Sequence, residues 1–464
     1  MPAPRVAASV SELLTFLDGT CHVEGERLVI DDVETFRATG IKDIVWSATF
    51  SEDAAVIEAA RWIVWEASQE LGCRSASIHE LYMARSRDEY SGWTEPAINL
   101  RTQVFDMAAA GCRAAMEMGS GSPIWELARS EQAYTFQRPG EYITSVLAGA
   151  IHAGWEGPVF IQGDHYQWNA KNYAKDADQV TNALHQATLD AMSVGYGNID
   201  IDSSTLVDLS FESLDEQQKD NYTRAAELAA LIRQNEELTV SIGGEIGEVG
   251  KANSTPDELR AYLDGFNREF KARAGEDAIG LSKVSVQTGT SHGGVPTADG
   301  KVAKVALDFE VLRELGIVAR EYGLAGAVQH GASTLPDELF HKFPEAETAE
   351  IHLATGFQNT LYEHPKFPAA LYAKVEEFCK TECADERSEG QTDMQFVYKT
   401  RKKALGPIKR ELWDLDVKDE IIADQQAHMT YLFEQLGIRG NKATVEKYVR
   451  APERHKPLPA SLKA

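Results

Sequence analysis

The segment Pro158-Val-Phe-Ile-Gln-Gly-Asp-His165 is a short apolar run that ends in a carboxylate and an imidazole. Two later segments repeat this design: residues 281–288 lead to His292, and residues 325–329 lead to His330. A short apolar run bounded by turn residues is typical of a buried strand. We therefore expect each of these strands to deliver one histidine at its carboxyl end.

Runs of the same kind recur from about residue 96 and alternate with segments of helical periodicity. They cover residues 97–100, 123–127, 158–161, 198–201, 238–242, 281–287, 325–329 and 350–353. Buried strands that alternate with helices favour a parallel sheet. This number of units predicts a closed (β/α)8 TIM barrel, an α/β fold. An open doubly wound sheet is the rival, but no G-x-G-x-x-G motif follows any run.

The two ends of the chain have a different pattern. Residues 1–95 are predicted to form a helical N-terminal extension, with an amphipathic helix over residues 53–71. Residues 96–379 form the predicted barrel. Residues 380–464 are predicted to be a charged connection followed by a helical C-terminal extension, and the proline-rich end is expected to be extended.

Composition excludes several classes of function. A net charge of -26 without a basic stripe argues against nucleic-acid binding, which requires patches of Lys and Arg. No run approaches the roughly 18 apolar residues of a membrane span, and no signal peptide is recognisable. The 5 cysteines are odd in number and scattered, which favours a reduced, cytoplasmic environment.

Ionisable residues gather at the predicted strand ends, which form the active-site face of a barrel. Asp164, His165, Glu245, His292 and His330 all lie at such ends or just beyond them. Histidine ligands that leave one coordination position open are what catalytic zinc requires. Any one of these histidines alone is more often a core residue, but together they predict a metal centre. Asp164 either supports a ligand, caps a helix, or acts as a general acid and base.

These segments resemble the class II, metal-dependent ketose-bisphosphate aldolases over about residues 96–365. Asp164-His165 is similar to the family's Asp-His pair, Glu245-Ile-Gly247 to its Glu-Leu-Gly, and residues 351–355 to its last-strand Asn-Val-Ala-Thr. Residues 290–293 and 330–333 resemble the segments that supply the other two histidines, and residues 96–99 resemble the first strand.

The resemblance implies reversible cleavage of a ketose (bis)phosphate, with fructose 1,6-bisphosphate as the first choice, to dihydroxyacetone phosphate and glyceraldehyde 3-phosphate. Zn²⁺, or another divalent metal, would polarise the carbonyl and stabilise the enediolate, and a monovalent cation is also compatible. The implied metal-site residues are His165, His292, His330 and Glu245. Asp164 would move the hydroxyl proton, and Glu248 would act on the enediolate carbon. The resemblance also implies a cytoplasmic, glycolytic homo-oligomer with a small phosphorylated sugar as its partner.

The implied substrate-binding residues are Asn99, Gly293, Gly331, Ser333, His352 and Thr355. For some of them a structural role is equally compatible with the sequence: Ser333 and Thr355 as helix caps, and His352 as a packed barrel residue. Glu248 also fits a solvated loop carboxylate.

The chain also departs from the family pattern. Gln162 stands where a histidine is frequent, His352 replaces an asparagine, Ala128 replaces a serine, and the loop carrying Glu248 is short. Two alternatives therefore stay open. One is an aldolase for another ketose phosphate, such as tagatose 1,6-bisphosphate. The other is a non-catalytic, aldolase-like partner subunit.

Overall fold

The computed structural model describes residues 3–247, 252–289, 307–332 and 335–463. Before the barrel, the chain forms a layer of helices with three short strands. In chain order its elements are α1 Val10–Phe16, β1 Cys21–Glu24, β2 Arg27–Ile30, α2 Val33–Thr35, α3 Ile41–Phe50, α4 Ala54–Glu70, β3 Cys73–Ala76 and α5 His79–Ser86, with a π-helical turn at Phe36–Gly40.

The helix predicted over residues 53–71 is confirmed as α4, and Asp53 caps it by accepting a hydrogen bond from the backbone N–H of Ala55. The antiparallel hairpin of β1 and β2 was not predicted. Its strands are only four residues long, too short for a period of two residues to stand out.

Eight further strands form a closed parallel barrel: β4 Glu95–Asn99, β5 Ile124–Ala128, β6 Gly157–Gln167, β7 Asn198–Asp202, β8 Ser241–Glu245, β9 Lys283–Val286, β10 Ala327–Gln329 and β11 Glu350–Leu353. Each pairs with its neighbours in chain order, and β11 returns to pair with β4. The predicted (β/α)8 barrel with helical extensions is therefore confirmed. Strand β3 lies outside this cycle and pairs with the first residues of β6, from Cys73↔Gly157 onward.

Helices surround the barrel and follow its strands. They are α6 Val104–Glu117, α7 Glu131–Tyr134, α8 Pro139–Ala153, α9 Ala170–Tyr173, α10 Ala177–Val194, α11 Leu214–Asn235, α12 Pro256–Ala274, α13 Phe309–Glu321, α14 Lys342–Glu345 and α15 Thr355–Tyr362. Between β10 and β11 the described residues form a 3-10 turn, Asp337–Leu339, and the short α14.

The C-terminal helices pack on the barrel. They are α16 Ala369–Glu382, α17 Asp393–Thr400, α18 Lys409–Trp413, α19 Lys418–Gln435 and α20 Lys442–Tyr448. Lys418, at the start of α19, lies 2.9 Å from Asp106 in the first turn of α6. The division at residues 95 and 379 remains a prediction. Among the described residues, no helix combines the length and apolar character needed to cross a bilayer.

The end of the chain is bound to helix α4. The indole N–H of Trp62 donates to the carbonyl oxygen of Lys456 at 3.1 Å, and that of Trp65 donates to Arg454 at 2.6 Å. Glu66, which is 2% exposed, accepts from the backbone N–H of Lys456 at 2.9 Å and contacts Nδ1 of His455 at 2.7 Å. The buried carboxylate of Glu66 therefore binds residues 455–456 to α4.

We predict that Glu66→Ala lowers the free energy of unfolding by about 1 kcal/mol, because it removes two partly buried hydrogen bonds to residues 455–456. Urea denaturation followed by circular dichroism measures the change. Glu70→Ala is the matched control, since Glu70 is an exposed glutamate one turn further along α4. Equal midpoints for the two variants would contradict the prediction.

Candidate active site

His165 is placed by a bulge near the end of β6. The pairing of β6 with β7 shifts its register between Gly163 and Tyr166, and His165 has φ 43°. A side chain on residue 163 would clash, because its Cβ would lie 2.3 Å from the Tyr166 ring. Bulges commonly re-aim a side chain in this way. Nδ1 of His165 then lies 3.0 Å from Oδ2 of Asp202, at the end of β7.

His330 follows β10 and faces His165. Its Nδ1 lies 2.8 Å from Nε2 of His165, and its Nε2 lies 2.9 Å from the hydroxyl of Ser285 on β9. The structure therefore brings together two of the predicted metal ligands. The third, His292, lies outside the described residues.

The donor set fits a divalent metal. When Nδ1–H of His165 donates to Asp202, and Nε2–H of His330 donates to Ser285, each ring keeps a lone pair on the nitrogen that faces the other ring. Support of a ligating imidazole by a carboxylate or another polar group is usual in metal sites. Ligand atoms of Asp164, His165 and His330 also lie within 4.8 Å of one another.

Glu245, at the end of β8, lies beside the supporting nitrogen of His165. Its Oε2 is 3.5 Å from Nδ1 of His165. Glu245 therefore lies with Asp202 beside Nδ1 of His165, and Nε2 is the nitrogen that faces His330. Burial and the nearby Asp202 carboxylate raise the pKa of Glu245 to about 8. A cation close to this carboxylate would stabilise its ionised form.

Asp164 is 4% exposed and lies between two imidazoles. Its Oδ1 is 3.8 Å from Nε2 of His165 and 3.4 Å from Nδ1 of His352. The His352 ring stacks on that of His330, with centroids 4.1 Å apart. Asp164 therefore stands next to the metal-facing nitrogens, as its predicted role as a proton carrier requires.

His352 is held by carboxylates on both sides. Its Nδ1 lies 3.0 Å from Oε2 of Glu126, and its Nε2 lies 2.7 Å from Oε1 of Glu350. Burial disfavours the charged ring, but Glu126, Asp164 and Glu350 raise the pKa of His352 well above its usual value. These carboxylates therefore favour the protonated form of His352, and the residue also lines the cavity described next.

A cavity of about 630 Å³ opens above these residues. Of the predicted substrate-binding residues, Asn99, Gly331, His352 and Thr355 line it. Gly293 and Ser333 lie outside the described residues, as does the predicted base Glu248. The cavity is also lined by residues of the C-terminal part of the chain: Gln391, Tyr398, Lys399 and Lys402.

Three cations line this cavity: Arg101, Lys402 and the exposed Lys399. Arg101 is paired with Glu131, at 2.7 Å between NH2 and Oε1. Lys402 has no carboxylate partner within 4.0 Å among the described residues. Burial and the neighbouring Arg101 lower the pKa of Lys402. An anionic group in the cavity would relieve this repulsion.

Sequence reasoning missed several residues of this site. Asp202 occupies a strand end and alternates with Asp200 in Asn198-Ile-Asp-Ile-Asp, so its position was a usable signal. Ser285 and Lys402 carried no comparable signal, because each reaches the site through contacts distant in sequence.

The match to known families covers most of the chain. The family model described as class-II fructose-bisphosphate aldolase matches residues 92–407. The chain belongs to this family. Membership in the class-II aldolases supports a carbon–carbon lyase as the class of enzyme, and the matched range includes every residue of the site described above.

The chain is similar to several solved structures at low sequence identity. A probable tagatose 6 phosphate kinase from Sinorhizobium meliloti is 17% identical, with a TM-score of 0.52 over 76% of this chain and 99% of that chain. A putative fructose-1,6-biphosphate aldolase from Coccidioides immitis is 17% identical, with a TM-score of 0.46 over 79% and 99%. A fructose-bisphosphate aldolase from Campylobacter jejuni is 16% identical, with a TM-score of 0.44 over 80% and 98%. The search of curated proteins found no match.

We predict that Asp202→Asn weakens Zn²⁺ binding by about 10–100-fold, because the anionic acceptor that orients His165 is lost. Competition with a chromogenic chelator measures the dissociation constant. Asp208→Asn is the control, since Asp208 is an exposed carboxylate in the segment that follows β7. An unchanged affinity for the Asp202 variant would contradict the assignment of His165 as a ligand.

Proposed function

We propose that the chain is a metal-dependent aldolase that reversibly cleaves a ketose bisphosphate, with fructose 1,6-bisphosphate as substrate. The products are dihydroxyacetone phosphate and glyceraldehyde 3-phosphate. The observation that carries this proposal is the placement of the Asp164 carboxylate beside the facing nitrogens of His165 and His330. Family membership supports the class of reaction.

Zn²⁺ is the proposed metal, held by His165, His330 and His292. Glu245 lies close enough to His165 to respond to the charge at this site. When bound, the metal would supply a Lewis acid to the ketose carbonyl. Asp202 and Ser285 keep the ligand rings oriented by hydrogen bonding their outer nitrogens.

Asp164 is the proposed proton carrier. In the cleavage direction, its carboxylate takes the proton of the C4 hydroxyl while the C3–C4 bond breaks. The aldehyde forms at C4, and the bonding electrons remain on the three-carbon fragment, which then takes up a proton at C3. In condensation Asp164 returns its proton to the new hydroxyl. Glu248 is the proposed group that moves the proton at C3.

The two ends of the substrate match two parts of the cavity. Gly331, with φ 71° and adjacent to His330 in sequence, and Thr355, at the start of α15, both line the cavity. Exposed backbone N–H groups at such places bind phosphate well. Arg101 and Lys402, which also line the cavity, would attract the second phosphate. A cavity with cations at this second position favours a bisphosphate over a monophosphate.

Tagatose 1,6-bisphosphate is the alternative substrate. It differs from the fructose compound only in the configuration at C4, the carbon whose hydroxyl Asp164 would deprotonate. The third reading, a non-catalytic partner subunit, is disfavoured because such a chain need not keep Asp164 together with His165 and His330. A cytoplasmic homo-oligomer remains part of the proposal, and sedimentation of the purified chain tests its oligomeric state.

We expect the purified chain to cleave fructose 1,6-bisphosphate, to lose activity with a chelator and to regain it with Zn²⁺. Asp164→Asn should lower kcat by about 10²–10⁴-fold, since it removes the base, while retaining bound metal. Coupled triose phosphate assays and metal analysis measure both quantities. Normal turnover by the Asp164 variant would refute the mechanism, and absence of metal-dependent cleavage of either sugar would refute the function.

We also predict that Lys402→Met raises KM for the bisphosphate about tenfold, because one charge-assisted contact to phosphate is lost. The KM for a ketose 1-phosphate should stay unchanged, since that ligand leaves the second position empty. Lys403→Met is the matched control, because Lys403 contacts Glu386 and does not line the cavity. Equal effects of the Lys402 variant on both substrates would place the second phosphate elsewhere.

A further inference from the structure

Tyr82 connects the N-terminal extension to the interior of the barrel. It belongs to α5, which precedes the family-matched residues 92–407, and its side chain is fully buried. Its hydroxyl donates a hydrogen bond to Oε2 of Glu350, the first residue of β11. The contact therefore links a part of the chain outside the matched region with the strand that carries His352.

The two carboxylate oxygens of Glu350 accept different numbers of hydrogen bonds. Oε1 accepts from Nε2 of His352 at 2.7 Å, from Nε2 of Gln162 at 2.9 Å and from the ammonium of Lys283. Oε2 accepts from the Tyr82 hydroxyl. Because Glu350 is 0% exposed, bulk water does not compete for hydrogen bonds to either oxygen.

This arrangement continues to the proposed proton carrier. Nε2 of His352 donates a hydrogen bond to Glu350. Nδ1, the other ring nitrogen, lies 3.4 Å from Asp164 and 3.0 Å from Glu126. The ring orientation is therefore set by carboxylates on both edges. Any rotation of the Glu350 carboxylate would move the His352 edge that faces Asp164.

We propose that Tyr82 is a positioning residue for the reaction assigned to Asp164. The terminal torsion of a glutamate is broad, so the carboxylate plane of Glu350 is fixed by its donors and not by its own rotamer. Tyr82 keeps Oε2 occupied. This leaves Oε1 as the acceptor for His352, and His352 in turn holds the Asp164 carboxylate toward the metal-facing nitrogens.

Removal of the hydroxyl creates a specific defect. An unsatisfied buried carboxylate oxygen is unfavourable, so the carboxylate of Glu350 should rotate to share the donors of Lys283 and Gln162 between both oxygens. The bond to His352 then lengthens or bends. Tyr82→Phe keeps the aromatic ring and its packing, so the change isolates the hydrogen bond.

The test compares Tyr82→Phe with Tyr196→Phe. Tyr196 is the matched control, because it is another buried tyrosine, and its hydroxyl has no hydrogen-bond partner among the described residues. This inference rests on the proposed aldolase activity. For Tyr82→Phe we expect kcat to fall about 10–100-fold, with KM and metal content unchanged. Tyr196→Phe should keep the kcat of the unmodified chain. Equal kcat values for both variants and the unmodified chain would overturn the proposal.

A second readout does not depend on turnover. In protein labelled with ¹⁵N-histidine, the imidazole N–H signals of His352, assigned by their loss in His352→Asn, should shift in Tyr82→Phe and stay in place in Tyr196→Phe. Unshifted signals would overturn the positioning role even if activity fell. If the unmodified chain has no aldolase activity, the proposed function fails, while a shift of these signals still supports the contact from Tyr82 to His352.

If Tyr82→Phe does not fold, Glu350→Gln provides the same test from the other side of the bond. The amide keeps the shape of the side chain but replaces one acceptor oxygen with a donor. It should move the same His352 signals and lower kcat without raising KM. Wild-type kinetics in this variant would overturn the proposal.

Discussion

A single buried ammonium holds together the interior on which the proposed active site rests. Lys283 is 1% exposed and lies 3.0 Å from Oδ2 of Asp200 and 2.8 Å from Oε1 of Gln162, and it also contacts Glu350. Burial of a charge is unfavourable unless it is paired and hydrogen bonded, and here each partner comes from a different strand. Burial tends to raise the pKa of Glu350, yet Lys283 and His352 lower it to about 2. Lys283 thus favours the ionised form of the carboxylate that contacts His352.

Gln162 and His352, two of the positions at which the sequence departs from the family pattern, contact the same pair of carboxylates. The amide of Gln162 donates to Glu126 at 3.0 Å and to Glu350 at 2.9 Å. The ring of His352 lies between the same two carboxylates, at 3.0 Å and 2.7 Å. Gln162 on β6 and His352 on β11 therefore bridge the same acidic pair.

The sequence predicted the barrel and the proximity of His165 and His330. Short apolar runs and histidines at their ends are local patterns, and a barrel places the carboxyl ends of its strands at one face. The charged interior was not predicted, since Lys283 and Glu350 lie in runs that otherwise indicate buried apolar strands. Lys402 reaches the cavity only through packing of the C-terminal helices, which no local pattern specifies. Tyr82 was missed for the same reason, since it lies in the extension that the sequence predicts only to be helical.

The hydrogen bonds between α4 and residues 454–456 affect how the molecule folds. The hydrogen bond from Trp62 to Lys456 spans 394 residues of sequence, and those of Glu66 span nearly as many. Contacts of such high contact order form late, because a long loop must close before they contribute. Until then the indole N–H groups and the buried carboxylate of α4 lack these partners on a barrel that is otherwise assembled. Refolding should therefore show a slow final phase, and a nascent chain would present this apolar helix to chaperones throughout most of its synthesis.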